Sequence, residues 1–294
     1  MGGVQQSSGA VNGRPFGAMQ GEVRMGAVGM NRSDCLDAAV RAARAAGRLQ
    51  REKLWDVRGF DFKGERNIVT DVDRSSEQII IDLLAEACPG CGFLAEERGA
   101  VYSGSSLRWI IDPLDGTTNF AHGFPWFAVS IALERAGVLE LAVVYHPIMD
   151  EVFHAVRGGG AWLGEKRICV SRRGPLASCL LATGFPYDRT CGNENNFDHF
   201  IRFQLAARGV RRAGAAALDL AYVAAGRLDG FWECKLNPWD VAAGKLLVEE
   251  AGGVVSNFAG SPHHLDDHRI VASNGLIHRD MLDVLAQAEA PSRI

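Results

Sequence analysis

Two carboxylates stand three residues apart at the end of an apolar run, in residues 108–120 (RWIIDPLDGTTNF). The residues before Asp112 are too apolar for an edge strand, and Pro113 restricts the backbone on the way to Asp115. Held this close, the two carboxylates would repel each other unless a cation neutralises them. A hard divalent cation meets that need, and with no His or Cys nearby Mg²⁺ is favoured over Zn²⁺.

The residues that follow the two acids point to an anion. Gly116 precedes two hydroxyl residues and an amide, and a glycine with hydroxyl residues at a helix start exposes backbone N–H groups. A metal site beside free N–H donors is what phosphoryl transfer to water requires. The stretch therefore predicts a phosphatase.

Three further acidic positions lie at the ends of predicted elements: Asp73, Glu96 and Asp240. Each has a purely structural alternative. Asp73 and Asp240 could cap helices, at about 1 kcal/mol each, and Glu96 could be a solvated loop residue. Asp112 could likewise close an Asx turn. The functional hypothesis depends on whether the fold brings these acids together.

Hydrophobic periodicity divides the chain into three parts. Residues 1–30 lack periodicity and are predicted to be a flexible extension. Residues 31–174 begin with two helices and continue as short strands, which is typical of a largely antiparallel sheet. Residues 175–294 alternate strands with helices, as in an α/β half. We expect the first half to bind metal and phosphate and the second to bind substrate, with a cleft between them.

The predicted elements have the following bounds. Helices are expected over residues 34–51, 74–87, 196–208, 216–225, 241–251 and 279–289. Strands are expected over residues 92–95, 107–111, 127–134, 140–146, 151–156, 180–183, 228–232, 253–256 and 269–272.

The bulk composition excludes several classes of protein. A formal net charge of −4 over 294 residues leaves no basic surplus to hold a polyanion, so nucleic acid is not indicated as a partner. No apolar run approaches the roughly 18 residues that span a bilayer, and the N-terminus lacks the apolar core of a signal peptide, so we expect no membrane partner. Seven cysteines without metal-finger spacing favour a reducing compartment and cytoplasmic localisation.

Two small clusters have plain structural interpretations. Cys88 and Cys91 follow a predicted helix rather than opening one, so they are expected to be unpaired thiols in a turn. His263, His264 and His268 lie among acidic residues and are expected to form a solvated surface loop.

At the acidic stretch the chain resembles the inositol monophosphatase family, the lithium-sensitive, magnesium-dependent sugar phosphatases. The resemblance covers about residues 34–285, and residues 109–120 and 238–244 (PWDVAAG) match the two family signatures. Residues 95–97 (AEE) and 67–73 (NIVTDVD) follow in the expected order. The family implies an α/β (α+β) layered sandwich, αβαβα, commonly a homodimer.

The resemblance also implies a role for each matching acid. Glu96, Asp112 and the Leu114 carbonyl would bind a first Mg²⁺, Asp112, Asp115 and Asp240 a second, and Asp73 would help to hold a third, weaker ion. The subunit would thus use two or three Mg²⁺ ions. Thr117, with Glu96, would orient the attacking water, and no covalent intermediate is expected. The implied catalytic residues are Glu96, Thr117 and Asp73.

Substrate contacts follow from the same resemblance. Glu233 would accept hydrogen bonds from ring hydroxyls, and the N–H groups of Gly116 and Thr117 would receive phosphate oxygens. Many members carry Ser or Thr where this chain has Ala215, so one contact worth on the order of 1 kcal/mol is missing. Lys63 lies where the family often places a basic residue. The implied substrate-binding residues are Asp115, Gly116, Thr117, Gly214, Ala215, Ala216, Glu233 and Asp240.

The family implies a phosphoric monoester hydrolase that acts on a small-molecule phosphomonoester. Residues 117–120 (TTNF) favour inositol 1-phosphate, while fructose 1,6-bisphosphate and histidinol phosphate stay open. A second hypothesis takes residues 71–73 (DVD) as the nucleophile motif of a haloacid-dehalogenase-type phosphatase, but the apolar run before it is short. A third is a binding role in the transcription or ribosome-assembly machinery on the same fold.

Overall fold

The computed structural model describes residues 24–25, 30–55, 61–62, 68–191 and 194–289. Most of the predicted extension at residues 1–30, and Lys63, lie outside these ranges. The described part contains seven α-helices: α1 (Arg32–Lys53), α2 (Asp71–Ala87), α3 (Thr117–Ala121), α4 (Phe197–Ala206), α5 (Ala216–Ala224), α6 (Pro238–Glu250) and α7 (His278–Glu289).

The strands of the described residues, with one short 3-10 helix at Leu176–Ser178, complete the fold. In chain order the strands are β1 (Arg24–Met25), β2 (Met30–Asn31), β3 (Asp61–Phe62), β4 (Ile68–Val69), β5 (Gly92–Ala95), β6 (Gly99–Val101), β7 (Leu107–Asp115), β8 (Ala128–Arg135), β9 (Val138–His146), β10 (Glu151–Val156), β11 (Gly160–Leu163), β12 (Lys166–Ile168), β13 (Leu180–Thr183), β14 (Gly209–Arg211), β15 (Gly230–Cys234), β16 (Val254–Ser256) and β17 (Arg269–Ser273).

Two large sheets carry most of the strands. The first has the order β12-β11-β10-β9-β8-β7-β5-β6, and only β5 and β7 pair in parallel, so the predicted largely antiparallel sheet is confirmed. The second has the order β14-β13-β15-β17-β16, with parallel pairs on both sides of β13. Strands β6, β11, β12 and β14, each three or four residues long, were not predicted.

Strand alternation divides the core between the two faces of the first sheet. Trp109 and Ile111 of β7 pack with α1 and α2, while Ile110 packs with α5 and α6. The second sheet lies on the other side of α5 and α6, and its outer face packs with α4 and α7. These layers, helices–sheet–helices–sheet–helices, confirm the expected αβαβα sandwich.

The middle helix layer depends on small residues. A Cβ at Gly244 of α6 would lie only 2.5 Å from Leu220 Cβ of α5, so glycine permits the close approach of the two helices. The contact matters for function because the N-termini of both helices lie beside the acidic residues described below.

Two sequence-based expectations are wrong. Cys88 and Cys91 form a disulfide rather than two unpaired turn thiols, because the turn through Gly90, with φ +83°, brings their Cα atoms to 5.8 Å, a normal disulfide spacing. His263 is only 4% exposed, so the histidine loop is not solvated throughout. Burial lowers the pKa of His263 to about 4, whereas the neighbouring His264 is exposed. Within the described residues, every helix is too short or too polar to cross a membrane.

Candidate metal and phosphate site

A β-bulge brings Asp112 and Asp115 to the same side of β7. Residues three apart in a regular strand point to opposite faces. Here Asp112 lies opposite Ser130 and Asp115 opposite Ala128, so β7 holds one more residue than β8 between these pairs. The extra residue resets the alternation, and Pro113, which has no N–H to offer the ladder, lies inside the bulge. The strand was predicted to end at Ile111, before the acids, and in fact includes both.

Backbone and side-chain donors hold the bulge in place. The Leu114 N–H donates to Asp112 Oδ1 at 3.0 Å, which is the turn predicted as a structural alternative for Asp112. The buried Gln50 of α1 donates to the Pro113 carbonyl at 2.7 Å. Gln50 supports the bulge from behind but was not predicted; its signal is a lone amide on the otherwise apolar face of a helix.

Asp115 is connected to the opposite half of the molecule. Its Oδ2 accepts a hydrogen bond from the Ala217 N–H at 2.8 Å. Helix α5 begins after Ala215, which has no side chain to cap it. Asp115 therefore supplies the negative group that the helix N-terminus favours. This contact was not predicted from the sequence.

Glu96 and Asp240 approach from two other elements. Because β5 runs parallel to β7, with Ala95 opposite Ile111, the residues that follow, Glu96 and Asp112, lie at the same end of this strand pair. Asp240 lies in the first turn of α6, where its Oδ2 accepts the Asn237 N–H at 2.7 Å in a capping box. Asp240 therefore does cap a helix, as the structural alternative predicted, and its carboxylate also lines the cavity.

All four acids line one cavity of about 300 Å³. The predicted residues at its wall are Glu96, Asp112, Leu114, Asp115, Gly116, Thr117, Ala216, Glu233 and Asp240. Three predicted residues do not line the cavity: Asp73, Gly214 and Ala215. The cavity also has a rim that was not predicted, formed by Phe185, Pro186, Tyr187, Asp188 and Lys235.

The electrostatics of the cavity are those of crowded, buried anions. Burial, and then the charges of Glu96, Asp115 and Asp240, raise the pKa of Asp112 well above its usual value. Burial and the Asp240 charge do the same to the pKa of Asp115, against the stabilising N–H groups of α5. Partial burial and the charges of the same acids also raise the pKa of Tyr187, which is half exposed at the rim. A cation bound here would relieve the repulsion.

These residues fit a hard divalent cation. The donors are carboxylate oxygens with a nearby carbonyl, which suit Mg²⁺. In the described part of the chain, no three acidic, histidine or cysteine side chains converge closely enough to enclose an ion by themselves. An Mg²⁺ ion bound here would complete its coordination with waters and substrate oxygens.

Thr117 links the cavity to Asp73. Its hydroxyl lies 2.8 Å from Asp73 Oδ1 and 3.0 Å from the Leu114 carbonyl. The other oxygen of Asp73 accepts the Thr70 N–H at 2.8 Å in the capping box of α2. Burial raises the pKa of Asp73, while hydrogen bonds from Thr70 and Thr117 oppose the rise. Asp73 therefore caps a helix and orients a cavity hydroxyl at once.

Gly116 allows the chain to turn from β7 into α3. Its φ is +91°, and a Cβ would lie 3.0 Å from the Trp126 carbonyl and 3.3 Å from the Gly214 carbonyl. Asn119 Nδ2 donates across the same contact, to Trp126 O at 2.7 Å and Ala213 O at 2.9 Å. The end of the acidic motif thus holds the predicted substrate loop at Gly214 in position.

Glu233 projects into the cavity from β15. It is 9% exposed, and its pKa is raised to about 8 by burial and by Asp240, while Arg212 opposes the rise. A Cβ at Gly184 would overlap the Glu233 carboxylate, so glycine there makes the space that the acid occupies. By contrast, Asp71 of the alternative nucleophile motif has a side chain 97% exposed, 3.5 Å from Arg74.

Comparison with known proteins gives a consistent result. The inositol monophosphatase family model matches residues 31–290. An inositol-1-monophosphatase from Mesorhizobium japonicum is 49% identical over 257 residues, 86% of this chain and 96% of the relative. A protein from Pseudomonas aeruginosa named Nus factor SuhB is 48% identical over 265 residues, 87% of this chain and 97% of the relative.

Solved structures show the same fold. The suhB protein of Bartonella henselae has a TM-score of 0.80 at 42% identity and covers 85% of this chain and 97% of its own. The inositol monophosphatase of Anabaena has a TM-score of 0.79 at 42% identity, with coverage of 86% and 95%. The relatives support a phosphatase role and general dependence on metal. From its acidic motifs, its layers and these matches, the chain belongs to the inositol monophosphatase family.

Proposed function

We propose that the chain is a Mg²⁺-dependent phosphomonoesterase that hydrolyses inositol 1-phosphate to inositol and phosphate. The observation that carries the proposal is one cavity lined by Glu96, Asp112, Asp115 and Asp240, with Thr117 and Glu233 in the same wall. Its volume of about 300 Å³ is at the low end for ligand sites, roughly 300–1,000 Å³. A small polyol phosphate suits this volume better than a nucleotide bisphosphate.

The four acids of the cavity, together with the Leu114 carbonyl, would hold two Mg²⁺ ions. A third Mg²⁺ ion would bind near Asp73. When bound, Mg²⁺ would supply a lowered pKa for water and charge stabilisation at the phosphate. The relatives named inositol-1-monophosphatase support the choice of substrate.

The protein's own residues have distinct tasks in the reaction. The Thr117 hydroxyl donates a hydrogen bond to Asp73. Its oxygen can therefore accept a hydrogen bond from the attacking water, which Glu96 also orients. The water oxygen then forms the new bond to phosphorus and gives up a proton to the Glu96 carboxylate. The bond to the leaving alcohol oxygen breaks, and that oxygen takes up a proton from solvent water. Gly116 and Thr117 N–H groups receive phosphate oxygens, and Glu233 accepts hydrogen bonds from the ring hydroxyls of inositol.

Phosphate release tests this proposal. Inositol 1-phosphate, fructose 1,6-bisphosphate, histidinol phosphate and adenosine 3′,5′-bisphosphate would each be supplied with Mg²⁺, with EDTA, and with Mg²⁺ plus Li⁺. We expect Mg²⁺-dependent turnover led by inositol 1-phosphate and inhibited by Li⁺. If another of these substrates were hydrolysed fastest, the proposed reaction would stand and the proposed substrate would be wrong. Turnover in EDTA would contradict the metal-dependent mechanism.

A binding role is the second candidate, favoured by the relative named Nus factor SuhB at 48% identity. It predicts that the chain joins a complex of the transcription machinery, and that an Asp115→Asn variant joins it equally well. We also propose that the chain forms a homodimer. Light scattering during size-exclusion chromatography would give twice the chain mass, and a single-chain mass would exclude the dimer.

A further inference from the structure

The rim of the cavity carries an ion pair that the proposed reaction does not use. Lys235 Nζ lies 2.7 Å from Asp188 Oδ2, and both residues line the cavity. The Lys235 side chain is 30% exposed and that of Asp188 57% exposed, so the pair meets solvent at the opening. Lys235 follows β15 and Asp188 lies in the loop after β13, so the pair joins two loops across the rim.

The backbone of Lys235 is unusual for its residue type. Its φ is +60°, a left-handed conformation that glycine adopts freely and that a residue with a Cβ adopts at a cost. Non-glycine residues held in this region cluster at ligand and active sites. The strained backbone of Lys235 in the cavity wall therefore indicates a functional role for its side chain.

Charge identifies the ligand group that this side chain would bind. Among the residues that line the cavity, Lys235 is the one basic side chain, and the acidic ones are Glu96, Asp112, Asp115, Asp188, Glu233 and Asp240. To draw the ammonium away from Asp188, a ligand group must carry more negative charge than a carboxylate. A phosphate dianion does so, and lysine binds phosphate as a point charge.

We propose that Lys235 is a specificity-determining residue that binds a second phosphate on the leaving alcohol, in competition with Asp188. The cavity would thereby accept bisphosphate esters of small polyols more readily than its acidic wall alone would allow. This inference rests on the proposed phosphomonoesterase function, since it concerns the part of the substrate that leaves.

The test compares two substrates that differ only in the second phosphate, inositol 1-phosphate and inositol 1,4-bisphosphate. Phosphate release in Mg²⁺ gives kcat/KM for each, and the ratio of the bisphosphate value to the monophosphate value is the readout. Lys235→Gly removes the ammonium at a backbone conformation that glycine favours, so its thermal midpoint should equal or exceed that of the parent. Lys235→Asn is a second variant, because asparagine also tolerates positive φ.

Lys235→Gly and Lys235→Asn should each lower the ratio about ten-fold, the size expected for one charge-assisted hydrogen bond. Asp188→Asn should raise the ratio several-fold, because it removes the competing carboxylate. Lys166→Gln, which removes a positive charge at an exposed position outside the cavity, should leave the ratio where it was.

Two outcomes would overturn the inference in distinguishable ways. If both Lys235 variants hydrolyse inositol 1-phosphate and their ratios stay within about two-fold of the parent, Lys235 does not read a second phosphate, while the proposed function stands. If the parent shows no Mg²⁺-dependent turnover of either substrate, the proposed function and this inference fall together.

Discussion

The hydroxyl of Thr117 and the carboxylate of Asp73 lie 2.8 Å apart, although 44 residues separate them in the chain. Asp73 belongs to the first turn of α2 and Thr117 to the first turn of α3. The contact couples a helix cap to the cavity wall. It makes the orientation of the Thr117 hydroxyl depend on the position of α2.

The Thr117–Asp73 contact predicts a strong effect of removing the hydroxyl. Thr117→Val should lower kcat by roughly 100-fold, because misplacing a reacting group such as the attacking water can cost about 10²-fold. Thr117→Ser keeps the hydroxyl and should stay within about ten-fold of the parent. Steady-state phosphate release measures both. Valine keeps the methyl group and serine keeps the hydroxyl, so equal losses in the two variants would contradict a dominant role for the hydroxyl.

Asp73→Ala should affect stability as well as activity. The Asp73 side chain accepts the Thr70 N–H in the capping box, alanine has no acceptor to replace it, and losing such a contact costs about 1 kcal/mol. Urea unfolding should therefore show a lower free energy of unfolding for Asp73→Ala and little change for Thr117→Ser. An unchanged free energy would mean that Asp73 does not stabilise α2.

Asp115→Asn should separate metal binding from folding. The variant loses one of the repelling charges and keeps a side-chain oxygen for the Ala217 N–H, so in EDTA its thermal midpoint should match or exceed that of the parent. The parent should be stabilised by added Mg²⁺, because a ligand that binds only the folded state raises its stability. The variant should lose most of this Mg²⁺-induced shift and about 100-fold of kcat/KM. A full Mg²⁺ shift in the variant would remove Asp115 from the metal site.

The raised pKa of Glu233 predicts that the metal-free protein becomes less stable as pH rises. Its pKa rises from 4.5 to about 8 on folding, chiefly through burial. As pH increases through this window the unfolded chain releases the proton first, so the stabilising contribution is complete below 4.5 and is lost as pH passes 8. Urea unfolding in EDTA should show stability falling over this range, and Glu233→Gln should reduce the fall. An identical pH dependence in the variant would show that Glu233 is not the titrating group.

Gly184→Ala should disturb substrate binding through Glu233. The added methyl group would overlap the Glu233 carboxylate, so the carboxylate must move from its place in the cavity. We expect a higher KM for inositol 1-phosphate. Gly209→Ala is the matched control, because a Cβ there meets its nearest atoms at 3.6 Å and 3.8 Å. Similar KM values for the two variants would contradict a specific role for the space at Gly184.

Much of the site was predictable because its acids lie in short local motifs. The apolar run before Asp112, the proline after it and the glycine at 116 each restrict the backbone locally, and the helix periodicities depend on neighbours three and four residues away. These features placed Glu96, Asp112, Asp115 and Asp240 at the ends of elements. They also led to the family, its layers and the cavity chemistry.

Sequence periodicity did not predict the bulge. A strand predicted to end at Ile111 leaves the direction of the two carboxylates undetermined. The register against β8, with Asp112 opposite Ser130 and Asp115 opposite Ala128, turns both to one side. Register depends on a partner strand, and a run of apolar residues reads the same with or without an extra residue in it.

The sequence by itself determined the kinds of groups this protein offers, namely hard oxygen donors, a flexible glycine and hydroxyls at element ends. Only the tertiary structure decided which of them meet. Asp115 contacts the N–H of Ala217 across 102 residues, and Lys235 meets Asp188 across 47. Such contacts depend on strand order and helix packing, which arise from the whole core at once, so no local pattern encodes them.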